Sequence, residues 1–292
     1  MNKDFNKGLL LAGFGSFWWG FLGVIYFKYI TFIGHVELVV HRCLWTTFTL
    51  VITTIIFSKW KIFKKIILNK KILIYLFFSG FLIFINWAVW IYAIATNRII
   101  DASFGYFIMP ILSVLLGYFF FKEKLNKKRI FSILLVFISI LYLIILSIKS
   151  LPWVGIIVAL SWAIYNLVRK KIYIDTDVGL LIESIFILPF ALIAFYLITI
   201  NGHNDFKFSD PLMMLIIILA GPMTVIPLFL YVRGVELCGL GPTGMIFYIT
   251  PTLQFLLGYF YYDEQFSLIK LVSFIFIWIA VIIYLKDLYE TN

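Results

Sequence analysis

Charge is scarce in this chain. Asp, Glu, Lys and Arg make up 13% of its 292 residues, where a soluble domain carries roughly 25%. Acid is scarcer than base, 14 residues against 24. With 63% of residues hydrophobic and a mean hydropathy of +1.06, too little polar surface remains to keep a fold in water. A soluble enzyme is excluded. Cysteine is almost absent: Cys43 and Cys238 stand far apart, within or beside apolar runs. That excludes a disulfide framework and metal-ligand spacing. No Gly-x-x-x-x-Gly-Lys-Ser/Thr loop occurs, so nothing here hydrolyses a nucleotide. His35-Val36-Glu37 begins like a zinc-protease motif but has no second His, and no Gly-x-Ser-Gly nucleophile has a plausible His partner. No catalytic residue, metal or cofactor is expected.

Long apolar runs are what the chain has instead. A membrane-spanning helix needs about 20 apolar residues, and ten runs meet or approach that length: 8–27, 36–57, 73–95, 102–121, 130–148, 152–168, 178–200, 211–232, 240–261 and 268–285. The first follows Lys3, Asp4 and Lys7 without a convincing cleavage site, so it reads as a span and not as a signal. If the N-terminus is cytoplasmic, 18 basic residues fall on the inner side. They include six over Lys59–Lys71, five over Lys122–Arg129 and the triplet Arg169–Lys171. The outer side receives Lys28, Arg98, Lys149, Lys207 and Lys270, with Arg42 counted inside the membrane. The positive-inside rule then places both termini in the cytoplasm of a multi-pass protein of the cell (inner) membrane. The basic loops face an anionic inner leaflet and contain no base-reading motif, so nucleic acid is not an expected partner. Trp60, Phe63 and Ile67 share one helical face. That suits either a short helix in the headgroup region or an ordinary basic loop.

The two halves resemble each other. A shift of 141 residues lays Pro110–Ser132 onto Pro251–Ser273 with nine identities in 23 positions, including the Pro and the Gly117/Gly258, Tyr118/Tyr259 and Glu123/Glu264 pairs. Small residues recur four apart at Gly8, Ala12, Ser16 and Gly20, and again at Gly155, Ala159 and Ala163, which lets helix backbones approach closely in lipid. The loop after Phe121 is basic, whereas its copy at Asp263–Lys270 holds two acids and one base. Five spans per half would put such copies on opposite sides of the membrane. The expected architecture is all-α: ten transmembrane helices in two inverted five-helix repeats, 1–148 and 149–292. A substrate site then lies near the midplane, with the two halves rocking around it.

Polar residues inside spans mark candidate sites. His41 and Arg42 lie several residues into the second run, and Asp101 opens the fourth on the same side, so an Arg42–Asp101 ion pair is sterically possible. It would be either a packing clamp or part of a binding site. Glu183, one to two turns into the seventh run, could take up a proton during transport or pair with Arg169–Lys171. Asn86, Trp87 and Trp90 fall within the third run. Tyr106 and Tyr248 stand near the matched prolines, with Gln254 one turn beyond. Of these, His41, Arg42, Asn86, Trp87, Trp90, Tyr106, Tyr248 and Gln254 are the candidates to line or close a cavity. Trp18, Trp19 and Tyr165, near run ends, read as interfacial belt residues.

These residues also carry a resemblance. His41-Arg42, Asn86-Trp87, Asp101-Ala102-Ser103-Phe104-Gly105-Tyr106-Phe107, Leu167-Val168-Arg169-Lys170-Lys171, Gly179-Leu180-Leu181-Ile182-Glu183-Ser184, Tyr248-Ile249-Thr250-Pro251-Thr252-Leu253 and Phe276-Ile277-Trp278 follow one another as in the RarD-type branch of the EamA permeases. Those permeases belong to the drug/metabolite transporter superfamily. The resemblance implies ten helices in two repeats around a central cavity, and a permease or exporter of small metabolites such as amino acids. A non-transporting sensor or a lipid-handling, scramblase-like protein is the alternative.

Overall fold

A computed structural model describes residues 3–95, 99–147, 153–206, 210–261 and 268–291. All regular structure among the described residues is helical. The helices are α1 (Lys3–Tyr29), α2 (His35–Ile56), α3 (Trp60–Ile67), α4 (Lys70–Ala95), α5 (Ile99–Phe121), α6 (Lys127–Ser147), α7 (Trp153–Ile172), α8 (Thr176–Ile200), α9 (Pro211–Cys238), α10 (Leu240–Ile246), α11 (Ile249–Phe260) and α12 (Leu268–Thr291). Among the described residues, seven helices are long and apolar enough to cross a membrane: α1, α2, α4, α6, α8, α9 and α12. The remaining apolar runs differ for identifiable reasons. α7 ends in Arg169, Lys170 and Lys171, while α5, a helix of 23 residues, is apolar through its described side chains, Gly105–Phe121. The run 240–261 is not one helix, because the backbone breaks at Phe247–Tyr248, just before Pro251.

Large apolar side chains stand exposed along the outer faces, among them Phe131, Ile138 and Ile145 on α6 and Phe190, Ile193 and Leu197 on α8. An apolar exterior of this kind belongs in lipid. This is a multi-pass membrane protein. α3 turns its apolar residues differently from the spacing argument: Ile66 is buried against Leu76, Val178 and Ile182, with Phe63 packed beside it, while Trp60 and Ile67 are exposed.

The 141-residue shift recurs in the backbone. The starts of α2 and α4 (His35 and Lys70) are followed at that interval by those of α8 and α9 (Thr176 and Pro211). Equivalent helices pack on one another, α2 on α8, α5 on α10 and α6 on α12, while α1 packs along α9 as α7 packs along α4. The Tyr248 hydroxyl donates to the Phe107 carbonyl at 2.9 Å, joining two positions that are themselves 141 residues apart.

Small residues set these crossings. A Cβ on Gly234 would stand 2.8 Å from the Gly8 carbonyl oxygen, and one on Gly15 would stand 2.8 Å from that of Pro227. At the α5–α7 crossing, a Cβ on Gly105 would collide with the Gly155 carbonyl, and backbone cannot swing aside as a side-chain tip can. Gly105→Ala is therefore expected to destabilise by about 1–3 kcal/mol, read as a lower midpoint of detergent melting. An unchanged midpoint would mean that the two backbones lie farther apart.

Candidate functional site

Two irregular segments meet in the middle of the bundle. In α1, residues Trp19–Gly23 form a π-helical turn, a feature that often marks functional sites. Opposite it lies the break between α10 and α11. The Thr250 hydroxyl donates to the Ser16 carbonyl at 2.9 Å, and the backbones touch where Gly20 meets Thr250. Irregular backbone is tolerated at membrane depth where it lines a cavity. Here it does: a cavity is lined by Trp19, Gly23, Phe27, Arg42, Asn86, Trp87, Trp90, Tyr106, Trp162, Phe247, Thr250 and Gln254.

Six of the eight candidates named from the sequence lie on this wall: Arg42, Asn86, Trp87, Trp90, Tyr106 and Gln254. Arg42 is 5% exposed. Its Nε donates to Thr224 Oγ1 at 3.1 Å, and its guanidinium sits 4.6 Å from the Trp87 ring centre and 4.8 Å from that of Phe27. Asn86 Nδ2 donates to the Val158 carbonyl at 3.0 Å and to Ser161 Oγ at 3.1 Å, tying α4 to α7. Trp90 stands over Phe27, and Tyr106 over Phe247.

The other two candidates stand elsewhere. His41 points to the opposite flank of α2, between the Phe195 and Phe206 rings, with Nε2 3.4 Å from Glu37. Glu37 accepts from the Asp205 and Phe206 amides, so this group fastens the 203–206 loop and not the cavity. Tyr248 faces away because its hydroxyl is committed to the Phe107 carbonyl and its ring to the cluster of Val136, Ile140 and Ile277. The Asp101 side chain lies outside the described residues, and with it the Arg42–Asp101 pair.

Below the cavity Trp19, Trp162, Tyr231 and Phe247 interlock at ring-centre distances of 5.0–6.4 Å. Trp162 also stacks on Tyr165 at 5.4 Å. Tyr165 opens a second polar centre, in which its hydroxyl donates to Glu183 Oε2 at 3.2 Å while Ser79 donates to Oε1. Arg169 Nη1 lies 3.5 Å from Glu183, and Nη2 lies 3.1 Å from the Thr176 carbonyl and 3.8 Å from Glu236. All of these side chains are buried. Glu183 is thus paired with the Arg169 cluster. Its position is the 141-residue counterpart of Arg42, so one repeat carries a paired acid where the other carries a cation in a cavity. Farther along the same end, Lys59 bridges Asp175 and Asp177 at 3.0 and 2.7 Å. Burial lowers the Lys59 pKa, but hydrogen bonds to the two carboxylates outweigh it and raise it above the ordinary lysine value. Burial likewise raises Asp175, and its hydrogen bonds with Asp177 and Lys59 reverse the sign, leaving it below the usual carboxylate range.

Comparison with known proteins follows the same lines. The signature of the EamA-like transporter family matches residues 6–145 and again 150–286. The chain belongs to the EamA-like transporter family. Protein RarD of Escherichia coli is 32% identical over 290 residues, covering 99% of this chain and 97% of its own. The uncharacterized transporter YojE of Bacillus subtilis is 32% identical over 288 residues, covering 97% and 95%. A solved crystal structure superposes with a TM-score of 0.71 over 96% of this chain and 97% of its own at 12% identity, which shows a shared fold.

In this EamA-like chain several wall residues carried no usable sequence signal. Trp19 and Tyr165 looked like interfacial aromatics, yet Trp19 lines the cavity and Tyr165 is fully buried. Phe27, Trp162 and Phe247 are aromatics in an aromatic-rich sequence, and nothing in the spacing separates them from core. Thr250, directly before a proline, was the one available hint, since such prolines often mark a helix break.

Proposed function

We propose that this chain is a secondary transporter that carries a small organic metabolite across the cell membrane by alternating access. Ten spans, in two inverted repeats over 1–148 and 149–292, hold both termini in the cytoplasm. The observation that carries this reading is the cavity itself: mid-bundle, lined by a buried arginine and two amides, and seated where the π-turn of α1 meets the broken α10–α11. Discontinuous helices at a repeat interface are the usual setting of a transported solute. In this orientation the Arg42 cavity opens to the outer side. The aromatic floor and the Arg169–Glu183 centre then close the cytoplasmic side, and moving that closure would let the solute leave inward or enter from within.

Vesicles containing the purified chain and a labelled metabolite panel test the proposal. At least one solute should move faster than in empty vesicles; none moving with cooperatively melting protein would refute transport. Gln254 is the cleaner wall residue to alter, because Asn86 also ties two helices together, whereas Gln254 has no side-chain hydrogen bond among the described residues. Gln254→Ala should slow flux by roughly two- to twelvefold, the value of one neutral hydrogen bond, with little change in melting. Lost melting with retained flux would make it a packing residue.

A further inference from the structure

We propose that the solute held in the Arg42 cavity is a small organic anion, a carboxylate on a flat apolar body, with Arg42 as its anchor. This rests on the transport reading above and narrows its substrate class.

The first support is the state of Arg42. It is buried in the wall of the cavity, yet among the described residues no carboxylate forms an ion pair with it, and its one described hydrogen bond comes from Nε to Thr224. Among the described residues, the titratable groups that act on it electrostatically are the Tyr106 and Tyr26 phenols and the Cys43 thiol. Two other arginines, the buried Arg169 and the half-buried Arg129, differ. Arg169 sits between Glu183 and Glu236, and Arg129 Nε reaches Asp287 at 2.8 Å. A guanidinium removed from water without an anion is costly, and a bound carboxylate that meets the two Nη groups offsets that cost.

The surroundings supply the rest. Phe27, Trp87 and Trp90 hold the guanidinium by cation–π contact at 4.8, 4.6 and 5.8 Å. This supports the charge without a carboxylate and leaves the guanidinium edge for a planar anion. No acidic side chain is among the described lining residues, so an ammonium group would meet like charge with no described carboxylate to balance it. The floor formed by Trp19, Trp162 and Phe247 is apolar, with Trp19 set edge to face against the other two rings, a setting in which another ring finds aromatic partners.

Three matched probes, with propionate as a fourth, test the inference on the full-length purified chain in nanodiscs at about pH 7: 3-phenylpropionate, 3-phenylpropanamide and 3-phenylpropylamine. Equilibrium binding should favour 3-phenylpropionate at least tenfold over the amide, with no measurable amine binding and with propionate weaker for want of the ring. Arg42→Lys should narrow that preference and Arg42→Gln should abolish it. Amide or amine binding as tight as the carboxylate overturns the proposal. So does binding of none of the three, or an undiminished carboxylate preference in folded Arg42→Gln. If vesicles carry neutral or cationic solutes while 3-phenylpropionate fails to bind, the anion inference falls and transport stands. If vesicles carry no solute of any class, the transport reading itself falls.

Discussion

Arg169→Ala is expected to lower the stability of the folded chain by about 3–5 kcal/mol, the loss typical of removing one partner from a buried ion pair. The size follows from what is left behind. Arg169 is 1% exposed and Glu183 is 2% exposed, and the guanidinium also serves the Thr176 carbonyl and faces Glu236. Without it, two acids and a carbonyl share a water-poor site in which, among the described residues, Ser79, Tyr165, Thr176 and the half-exposed Arg233 answer them. A double variant, Arg169→Met with Glu183→Leu, removes both charges and should recover much of the loss. Thermal melting in detergent reads both. Equal melting of wild type and Arg169→Ala would mean that water reaches this centre freely. Glu183→Gln keeps the shape and separates the roles of the carboxylate: if Glu183 couples protons, any pH-gradient dependence of transport disappears, and retained dependence removes it from that role.

Arg42→Gln is expected to do the opposite, reducing flux strongly while leaving stability nearly intact. A hydrogen-bonded contact to a charged group contributes about 1.5–3 kcal/mol, or roughly 10–150-fold in rate or affinity. Little stability is lost because Arg42 has no described acid to orphan. Only the Thr224 hydroxyl loses its donor, and the desolvation of a lone guanidinium is relieved. Arg42→Lys keeps the charge but loses the planar fork, so its flux should fall between the two. Flux assays beside melting curves separate the cases. Parallel loss of melting and flux would make Arg42 a structural cation like Arg169.

The contrast between these equivalent positions, 42 and 183, shows what the sequence could and could not reveal. Most apolar runs, 240–261 excepted, are long enough that helix positions followed from their hydropathy, and Tyr118 and Glu123 matched their repeat partners by identity. The helix faces were harder to read. α2 is apolar over most of its circumference, so His41 and Arg42, adjacent in sequence, gave no sign that one turns to the cavity and the other to the 203–206 loop. The same ambiguity hid Glu37, whose carboxylate holds two loop amides. Tyr248 was misplaced because its nearness to Pro251 suggested the break, while its ring points out of it. Trp19 was missed because a π-turn rotates the residues that follow it, and no single-residue preference encodes such a turn.

Counterflow in reconstituted vesicles tests alternating access most directly. Vesicles loaded with a high concentration of the unlabelled solute found by the panel are placed in a trace of the same solute carrying a label. A carrier that exposes the Arg42 cavity to one side at a time accumulates label transiently above its equilibrium level, and Arg42→Gln vesicles do not. Label that merely rises to equilibrium in wild-type vesicles, at the same rate with or without internal solute, would contradict alternating access around this cavity.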